Sequence, residues 1–432
     1  MKRYQIIGYP RLVRLNPNIP WKTRGNGALC LQVGKREKTK TQKIGEIDAR
    51  DIYSSSVFIE ELDVFEQRTL GKIVKETVDA QARIDDENTN PGYVLLLRKP
   101  EKKLYWKAVQ SIVPLDEVHA LLRDHEAVFE GYKNSRGLIG ATAAIAWEPL
   151  DKTFELITYR HRKRWGSKRN VDARSVQMMD SQCPSTFDNY DEVNHHNRIV
   201  PNSPCPILYG IRGDDIDDLI HASTLVKSEP IESWLLFETN QGTDDHLQRK
   251  PVRSVQPFES VITEGAVHDN PFTIRGGHVL FTLRDQTGSI PCAAYEPTKE
   301  FRNRIRGLRE GDLIDVFGGV REHPLTINVE KICIKQLTSV QRKVENPVCP
   351  HCGKHMKSKG TNQGYKCIRC GTKSNEPMIQ DQQRTLLSGF YEVPVCARRH
   401  LSKPLKRIMK QSPAMTINLP DSKNKIILRN SA

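Results

Sequence analysis

Four cysteines near the carboxyl-terminal end constrain the fold of this chain more than any other feature. They form two C-x₂-C pairs separated by 14 residues. Two such pairs supply the closed, tetrahedral kind of Zn²⁺ site, which stabilises a small ribbon and leaves no coordination position for chemistry. A pair of redox-active C-x₂-C motifs is the alternative. The cysteines are Cys349, Cys352, Cys367 and Cys370.

Positive charge is concentrated in the last fifth of the chain. The 432 residues carry a formal net charge of +14, and residues 341–432 hold 18 Lys and Arg against five Asp and Glu. A basic segment on a nearly balanced body is typical of nucleic-acid-binding modules; an acidic protein surface or plain solvation is the alternative. No apolar run approaches a membrane span and no signal sequence is recognisable, so we expect a cytoplasmic protein with no membrane contact.

The stretch GYPRLVRLNPNIPWKTRGNG, residues 8–27, places cations on a turn-rich frame. Its three prolines disfavour helix, while Gly25 and Gly27 permit close approach of a ligand to the backbone. Arg side chains and free loop N–H groups bind phosphates through charge-assisted hydrogen bonds, so the stretch predicts a phosphate site. An exposed basic edge strand is the alternative. The candidate cations are Arg11, Arg14, Lys22 and Arg24.

A second anion site is indicated by KNSRGLIGATAAIAW, residues 133–147. Arg136 and Gly137 precede a run of small residues that is typical of a helix packed closely on a sheet. A helix that begins after a Gly-containing turn binds anions at its amino terminus, although many closely packed helices share this pattern without binding anything. Upstream, the three acids of residues 85–87 suit Mg²⁺, but a turn or a helix cap explains them more simply.

The middle of the chain predicts a β-α-β unit followed by a small barrel. PILYGIRG, a helical pattern and IESWLLFET form the unit. Cys205, in SPCP, has no base beside it, which favours a packed thiol over a nucleophile. Between residues 259 and 337, five strand-like segments with one helix between the third and fourth follow the order of an OB-fold, which binds oligonucleotides or, in some proteins, other proteins. Its Arg284, Lys299 and Arg302 suit phosphates.

Together these motifs resemble one family across essentially the whole chain. In order they are RLVRLNPNIPWKTRGNG, DDENTNPG, RGLIGA, TFDN, NSPCPILYGIRG, TNQGTDDH, the OB-like segment, the four-cysteine ribbon and YEVPVCARRHLSKPLKR. The family is that of the archaeal tRNA(Ile) 2-agmatinylcytidine synthetases, or agmatidine synthetases (TiaS). The resemblance implies a multidomain α+β fold. Its parts are a kinase-like α/β domain at 1–172, a ferredoxin-like domain at 173–256, an OB-fold at 257–340, a zinc ribbon at 341–375 and a basic C-terminal tail at 376–432.

The resemblance also implies an activity. Such enzymes use ATP, and with it Mg²⁺, to phosphorylate the C2 oxygen of the wobble cytidine in tRNA(Ile) with a CAU anticodon. Agmatine then displaces the phosphate, and the tRNA reads AUA codons. No obligate protein partner is implied. A tRNA- or single-strand-binding protein without this chemistry, or a zinc-ribbon transcription or replication factor, is the alternative.

The sequence and the resemblance assign roles to individual residues. Arg136 and Asp188 are the catalytic candidates, and Asp188, Asn202, Cys205 and Tyr209 are the candidates for binding agmatine. The ATP phosphates are assigned to Arg11, Arg14, Lys22, Arg24 and Gly137. tRNA is assigned to Arg284, Lys299, Arg302, Lys357, Lys366, Arg398 and Arg399. Family members begin with an acidic motif of the form IDDTD that holds the metal and the ATP phosphates, and this chain lacks it. We expect that motif to be encoded upstream of Met1; a truncated protein that binds tRNA without modifying it is the alternative.

Overall fold

The computed structural model describes residues 4–22, 25–35, 41–56, 62–87 and 89–411. None of the helices in these ranges is long and apolar enough to cross a bilayer. The helices are α1 (Val64–Gln81), α2 (Lys103–Gln110), α3 (Leu115–Asp124), α4 (Gly137–Ala146), α5 (Ala173–Gln182), α6 (Ile216–Leu225), α7 (Phe301–Arg306) and α8 (Leu405–Gln411).

The strands up to the barrel are β1 (Tyr4–Arg14), β2 (Gly27–Lys35), β3 (Thr41–Ile47), β4 (Arg50–Ser55), β5 (Gly92–Leu95), β6 (Val128–Gly131), β7 (Thr153–Arg160), β8 (Tyr190–Asp191), β9 (His196–Asn197), β10 (Ile207–Gly213), β11 (Ile231–Thr239) and β12 (Leu247–Arg249). The remaining strands are β13 (Ser260–Val267), β14 (Phe272–Thr273), β15 (Val279–Arg284), β16 (Ser289–Ala294), β17 (Leu313–Arg321), β18 (Thr326–Gln336), β19 (Val340–Glu345), β20 (Lys357–Ser358), β21 (Tyr365–Lys366), β22 (Lys373–Ser374), β23 (Met378–Gln382) and β24 (Gly389–Glu392).

Seven strands form one mixed sheet in the order β10-β7-β11-β3-β4-β1-β2. β1 changes neighbour along its length, because Ile7 lies opposite Ser55 of β4 whereas Arg11 lies opposite Glu238 of β11. Between these two points β1 bulges, and Gly8 takes a φ of 64°. A bulge bends a strand and re-aims the residues beyond it. It therefore directs the end of β1, with its cations, toward the end of β11.

The sheet spans the two parts of the chain that the sequence assigns to a kinase-like and a ferredoxin-like domain. β1 to β4 and β7 come from the first part, and β10 and β11 come from the second. The predicted β-α-β unit is confirmed as β10, α6 and β11, with β7 inserted between its strands. Helices α5 and α6 cover this end of the sheet through a core that includes Leu156, Leu208 and Ile211. The boundary at residue 172 stays a prediction.

α4 packs closely on its neighbours because its residues are small, as the sequence predicts. Ala143 is fully buried, and the helix contacts α2, α3, β2 and β5. At its start, a Cβ on Gly137 would overlap the backbone nitrogen of Gly92, so no side chain fits there. The fully buried rings of Tyr105 and Trp147 belong to the same core.

Residues 260–336 form the predicted OB-fold. β13, β15, β16, β17 and β18 close a barrel in which β13 pairs with both β15 and β17, and β16 runs parallel to β18. α7 lies between the third and fourth of these strands, where the sequence places a helix. Phe281, Val316 and Ile332 lie in its apolar core, consistent with the alternation of side chains along each strand.

The carboxyl-terminal segment is folded onto the rest of the molecule as far as residue 411. β24 adds a strand to the barrel by pairing with β18, and Leu401 and Leu405 are buried. Arg407 forms ion pairs with Asp151 and Asp214, with N···O distances of 2.8 and 2.6 Å. The described part of the predicted basic tail therefore packs on the barrel and the sheet, and Arg407 is engaged within the protein. The boundary of the tail at residue 376 stays a prediction. Residues 412–432 lie outside the described ranges.

A buried ion pair joins Arg160, at the end of β7, to Glu229. Each side chain is only 1% exposed, and Nε of Arg160 donates to the carboxylate at 2.9 Å. The guanidinium also donates to the carbonyl oxygens of Ser167 and Lys168, and the backbone N–H of Asn170 donates to Glu229. The pair therefore fixes the basic loop after β7 against the segment that leads into β11.

The variant Arg160→Met is expected to lower the free energy of unfolding by about 3–5 kcal/mol, because it leaves a buried carboxylate without its partner. Arg164→Met is the matched control, since Arg164 is half exposed and lies 3.8 Å from the same carboxylate. Calorimetry of both variants measures the difference. Equally small losses in the two would contradict a structural role for the pair.

Candidate functional site

A cleft of about 490 Å³ opens between the basic stretch and the start of α4. The sequence predicts two separate anion sites, in residues 8–27 and 133–147, and the structure brings them together on this cleft. It combines apolar walls, glycine backbone and cations. Its lining includes Leu15, Ile19, Trp21, Lys22, Asn26, Gly27, Thr89, Asn90, Arg136, Gly137 and Ile139.

Two poorly solvated cations face this cleft. The guanidinium carbon of Arg136 lies 4.8 Å from the centre of the Trp21 ring, and burial lowers the pKa of Arg136. Burial, together with the charge of Arg399, lowers the pKa of Lys22 to about 8. An apolar cleft with an aromatic ring, two cations and the amino terminus of α4 has the chemistry that binds a heteroaromatic base and its phosphates.

The other predicted phosphate ligands lie behind the cleft or away from it. Nη1 of Arg14 donates to the carbonyl oxygen of Gly25 at 3.1 Å, so this guanidinium lies beneath the glycines of the basic stretch. A Cβ on Gly25 would be 2.9 Å from that nitrogen. Arg11 is outside the cleft lining and has its Nε 3.6 Å from Glu238. Arg24 falls outside the described residues.

The acids of residues 85–87 lie in an exposed turn. The backbone carbonyl of Asp86 accepts hydrogen bonds from the backbone N–H of Thr89 and from Nζ of Lys133. These contacts are those of a turn, the simpler of the two explanations that the sequence offers.

Asp188 and Arg398 are brought together, although the sequence assigns them to agmatine and to tRNA. Nη1 of Arg398 donates to the Asp188 carboxylate, and Nη2 lies 2.5 Å from Glu392. Both members of the first pair are only 6% exposed. Arg398 is therefore an internal counter-ion, which corrects its placement on an RNA-binding surface, and Asp188 already holds a guanidinium group. Arg399 pairs with Glu330 at 3.2 Å.

Arg169 clamps the loop that the sequence assigns to agmatine. Its guanidinium donates to the carbonyl oxygens of Pro201, Ser203, Cys205 and Ile207 at 2.7 to 2.9 Å. Arg169 therefore holds the loop through backbone carbonyl groups, which leaves the side chains of the loop available for other contacts.

The three candidates in and beside this loop differ in exposure. Asn202 is exposed, and the Cys205 thiol lies 3.4 Å from Arg169. Tyr209 is fully buried in the core beneath α6, where burial raises its pKa to about 12. Its assignment to ligand binding is corrected to a core role.

The sequence did not predict a buried polar group that forms where β11 ends. Glu155 of β7 accepts hydrogen bonds from Nε of Arg212, at 3.3 Å, and from the side chain of Gln241. Gly210 lies beside it, where a Cβ would be 2.8 Å from the carboxylate. The polar motif TNQGTDDH, which contains Gln241, was the sequence signal for this group. It could not show that Glu155 and Arg212, which are distant in the chain, are its partners.

The predicted RNA-binding cations of the barrel and the ribbon fall into two groups. Arg284, Lys357 and Lys366 are exposed. Lys299 and Arg302 each lie 3.5 Å from Glu296, and Arg302 also donates to the carbonyl oxygen of Gly277. The exposed group is therefore available to bind phosphates, whereas Lys299 and Arg302 also make contacts within the barrel.

The four cysteine sulfurs lie within 4.8 Å of one another. The Cys349 and Cys370 sulfurs are 3.3 Å apart, as are those of Cys352 and Cys367. Sulfurs bound tetrahedrally to zinc at about 2.3 Å lie at similar separations, so the four thiolates fit this ion. Among the described residues this is the single cluster of three or more His, Cys, Asp or Glu side chains suited to a metal.

Comparison with known families accounts for most of the chain. The TiaS TCKD domain matches residues 1–134 and the TiaS FLD domain matches residues 135–246. The chain belongs to the TiaS family. The TiaS C-terminal zinc ribbon domain matches residues 346–386, and an OB-fold nucleic acid binding domain matches residues 261–334. The expected fold class is thereby confirmed.

Relatives in the TiaS family are similar over nearly their whole length. Proteins from Archaeoglobus fulgidus and Methanocaldococcus jannaschii, both named as the isoleucine-tRNA 2-agmatinylcytidine synthetase TiaS, are 42% and 40% identical to this chain. The first match covers 94% of this chain and 90% of the relative, and the second covers 93% and 91%.

Solved TiaS structures have the same fold. A complex of TiaS with its isoleucine tRNA and ATP aligns with a TM-score of 0.79 at 40% identity, covering 93% of this chain and 89% of that one. A complex of TiaS with the same tRNA, AMPCPP and agmatine aligns with a TM-score of 0.77 at 38% identity, covering 94% and 90%.

The variant Cys367→Ser is expected to weaken zinc binding by more than about tenfold, because one of four thiolate ligands is lost. Cys333→Ser is the control, since that thiol lies outside the cluster. Elemental analysis after dialysis against a chelator measures the retained zinc. Equal retention by both variants would contradict a four-cysteine site.

Proposed function

We propose that this chain joins agmatine to C2 of the wobble cytidine of tRNA(Ile) with a CAU anticodon, consuming ATP. The proposal rests on the similarity, over about nine-tenths of both chains, to proteins named as isoleucine-tRNA 2-agmatinylcytidine synthetases. It is supported by the alignment with TiaS complexes that contain the isoleucine tRNA with ATP or with AMPCPP and agmatine. The reaction takes place in the cytoplasm, where its tRNA is found.

ATP binds in the cleft beside Trp21. Its base packs among Leu15, Ile19 and Ile139, and its phosphates lie toward Lys22 and the backbone at the start of α4, where positive charge neutralises them. Mg²⁺ would accompany the phosphates and be held mainly by their oxygens and by water, since no carboxylate is among the described residues that line the cleft. Arg136, whose guanidinium lies over the Trp21 ring and which immediately precedes α4, adds a second cation for the phosphates.

The tRNA lies across the barrel and the ribbon. Arg284, Lys357 and Lys366 are exposed there and contact its phosphates. The loop of residues 201–207, which Arg169 clamps, carries the agmatine site, and Asn202 and Cys205 of this loop contact agmatine. Asp188 contributes to that site through its pairing with Arg398, which fixes the carboxylate.

The variant Arg136→Ala tests the proposed reaction. Incorporation of labelled agmatine into tRNA(Ile) is expected to fall by about tenfold or more, because a cation–π contact and a phosphate partner are lost, while the Kd for tRNA changes less than about twofold. Arg162→Ala is the matched control, since Arg162 also lies over a tryptophan, Trp165, but outside the cleft. ATP-independent or absent incorporation by the unmodified chain would overturn the proposal.

The affinity for ATP is expected to fall as the pH rises through about 8. Burial lowers the pKa of Lys22 to about 8, so its ammonium group is charged below that pH and loses its proton above it. Neutral lysine no longer attracts phosphate. Titration calorimetry between pH 7 and 9 measures the effect, and Lys22→Met is expected to flatten it. An equal pH dependence in the variant would contradict the role of Lys22.

A further inference from the structure

Four basic residues, Arg14, His400, Arg198 and Arg212, lie near one another beside the end of β11 and outside the lining of the nucleotide cleft, and the charges of the three arginines all lower the pKa of His400. Asn240 fixes the first, because its side chain accepts from the backbone N–H of Arg14 at 2.7 Å and donates to the carbonyl of the same residue at 2.8 Å. The backbone N–H of Gly242 donates to the carbonyl oxygen of His400 at 2.7 Å, which fixes the second.

The remaining two basic residues are held by one asparagine. Asn189 accepts the backbone N–H of Arg212 on its side-chain oxygen, at 3.1 Å, and the backbone N–H of Arg198 on its carbonyl oxygen, at 2.9 Å. Arg212 also reaches Glu155, which is bonded to Gln241. Arg14 and His400 are therefore bonded to residues 240–242 directly and Arg212 through Glu155, while Arg198 is bonded to Asn189, which also holds Arg212.

In this cluster the arginine and imidazole nitrogens outnumber the acceptors bonded to them, although the buried side-chain oxygen of Gln241 also has no hydrogen-bond partner among the described residues. Nε of Arg14 and Nδ1 of His400 are buried and have no hydrogen-bond partner in the part of the chain that the structure describes. The guanidinium of Arg198 forms no hydrogen bond or ion pair within those same ranges. Glu155 is the one carboxylate bonded to the cluster, and it is shared with Gln241.

Nearby carboxylates are engaged elsewhere. Asp188 is paired with Arg398, and Asp191 accepts the backbone N–H groups of Cys396 and Asn194. The charge of Arg14, followed by burial, holds the pKa of His400 well below its usual value, so this imidazole is neutral at pH 7. Like charges gathered in a partly buried place, with donors unpaired, are stabilised by an anion.

We propose that Arg14, Arg198, Arg212 and His400 form a second phosphate site, separate from the nucleotide cleft, that binds a tetrahedral oxyanion. Arginine forks and a neutral imidazole N–H supply charge-assisted and neutral hydrogen bonds to such an oxyanion. Two sources have this chemistry: the phosphoryl group transferred to the cytidine, and a phosphodiester of the bound tRNA. The identity of the source rests on the proposed function, whereas the site itself does not.

The experiment follows the imidazole resonance of His400 by NMR in the full chain, assigned with the variant His400→Gln. Inorganic phosphate is expected to shift this resonance saturably. Arg198→Gln is expected to weaken the phosphate Kd measured there by about tenfold, since one charged donor is lost. Arg162→Gln, a basic residue outside the cluster, is the control and is expected to leave that Kd unchanged.

The absence of a saturable shift, or an equal Kd in Arg198→Gln, would overturn the proposal. Adding tRNA(Ile) alone reproduces the shift if the source is a phosphodiester, and ATP must be added as well if it is the transferred phosphoryl group. If agmatine incorporation is absent while phosphate still binds at His400, the proposed function is contradicted and the phosphate site stands. If agmatine is incorporated but phosphate does not bind at His400, the phosphate site is contradicted and the proposed function stands.

Discussion

The buried loop of residues 240–246 is the constraint on which the rest of the structure depends. Asn240, Gln241 and His246 are completely inaccessible to solvent, although all three are polar. A buried amide or imidazole without partners destabilises a fold by roughly 1–3 kcal/mol, so the surroundings must supply partners for each one. In this protein those partners come from four different parts of the chain.

The partners of this loop come from the sheet, α2, the barrel and the carboxyl-terminal segment, parts that also meet through contacts such as the pairing of β24 with β18. Asn240 holds the end of β1 and donates to the hydroxyl of Tyr105 on α2. Asp244 pairs with Lys331 of the barrel at 2.8 Å and accepts the backbone N–H of Lys403. His246 lies 3.3 Å from Glu330, also of the barrel. One loop thus fastens the sheet, the barrel and the carboxyl-terminal segment, and networks of this kind specify a single arrangement.

The functional consequences follow from the same loop. Because it fixes the end of β1, it sets the direction of the basic stretch, whose far side lines the cleft beside Trp21. Because it also fixes His400, it brings the carboxyl-terminal segment beside Arg14 and Arg212. The cleft and the proposed second phosphate site are therefore on two sides of one strand end.

Local patterns in the sequence predicted the parts of the structure that depend on local rules. The barrel strands alternate, the helix α4 needs small residues, and the four cysteines have the spacing of a metal site, so each was found without knowledge of distant contacts. Arg398 and Tyr209 were assigned wrongly because burial depends on partners far away in sequence. Arg398 meets Asp188 across 210 positions, and no local pattern marks that pairing. The common sheet of the first two parts was missed for the same reason.

Hydrogen exchange in the variant Asn240→Ala tests most directly whether this loop joins the parts of the molecule. The account predicts that amide exchange accelerates together at the end of β1, in α2 around Tyr105 and in the loop itself, because all three lose the same buried partner. Asn194→Ala, which removes a side chain bonded to Asp191 at 3.0 Å, is the control and leaves these amides unchanged. Acceleration confined to residues 240–246 would contradict the account.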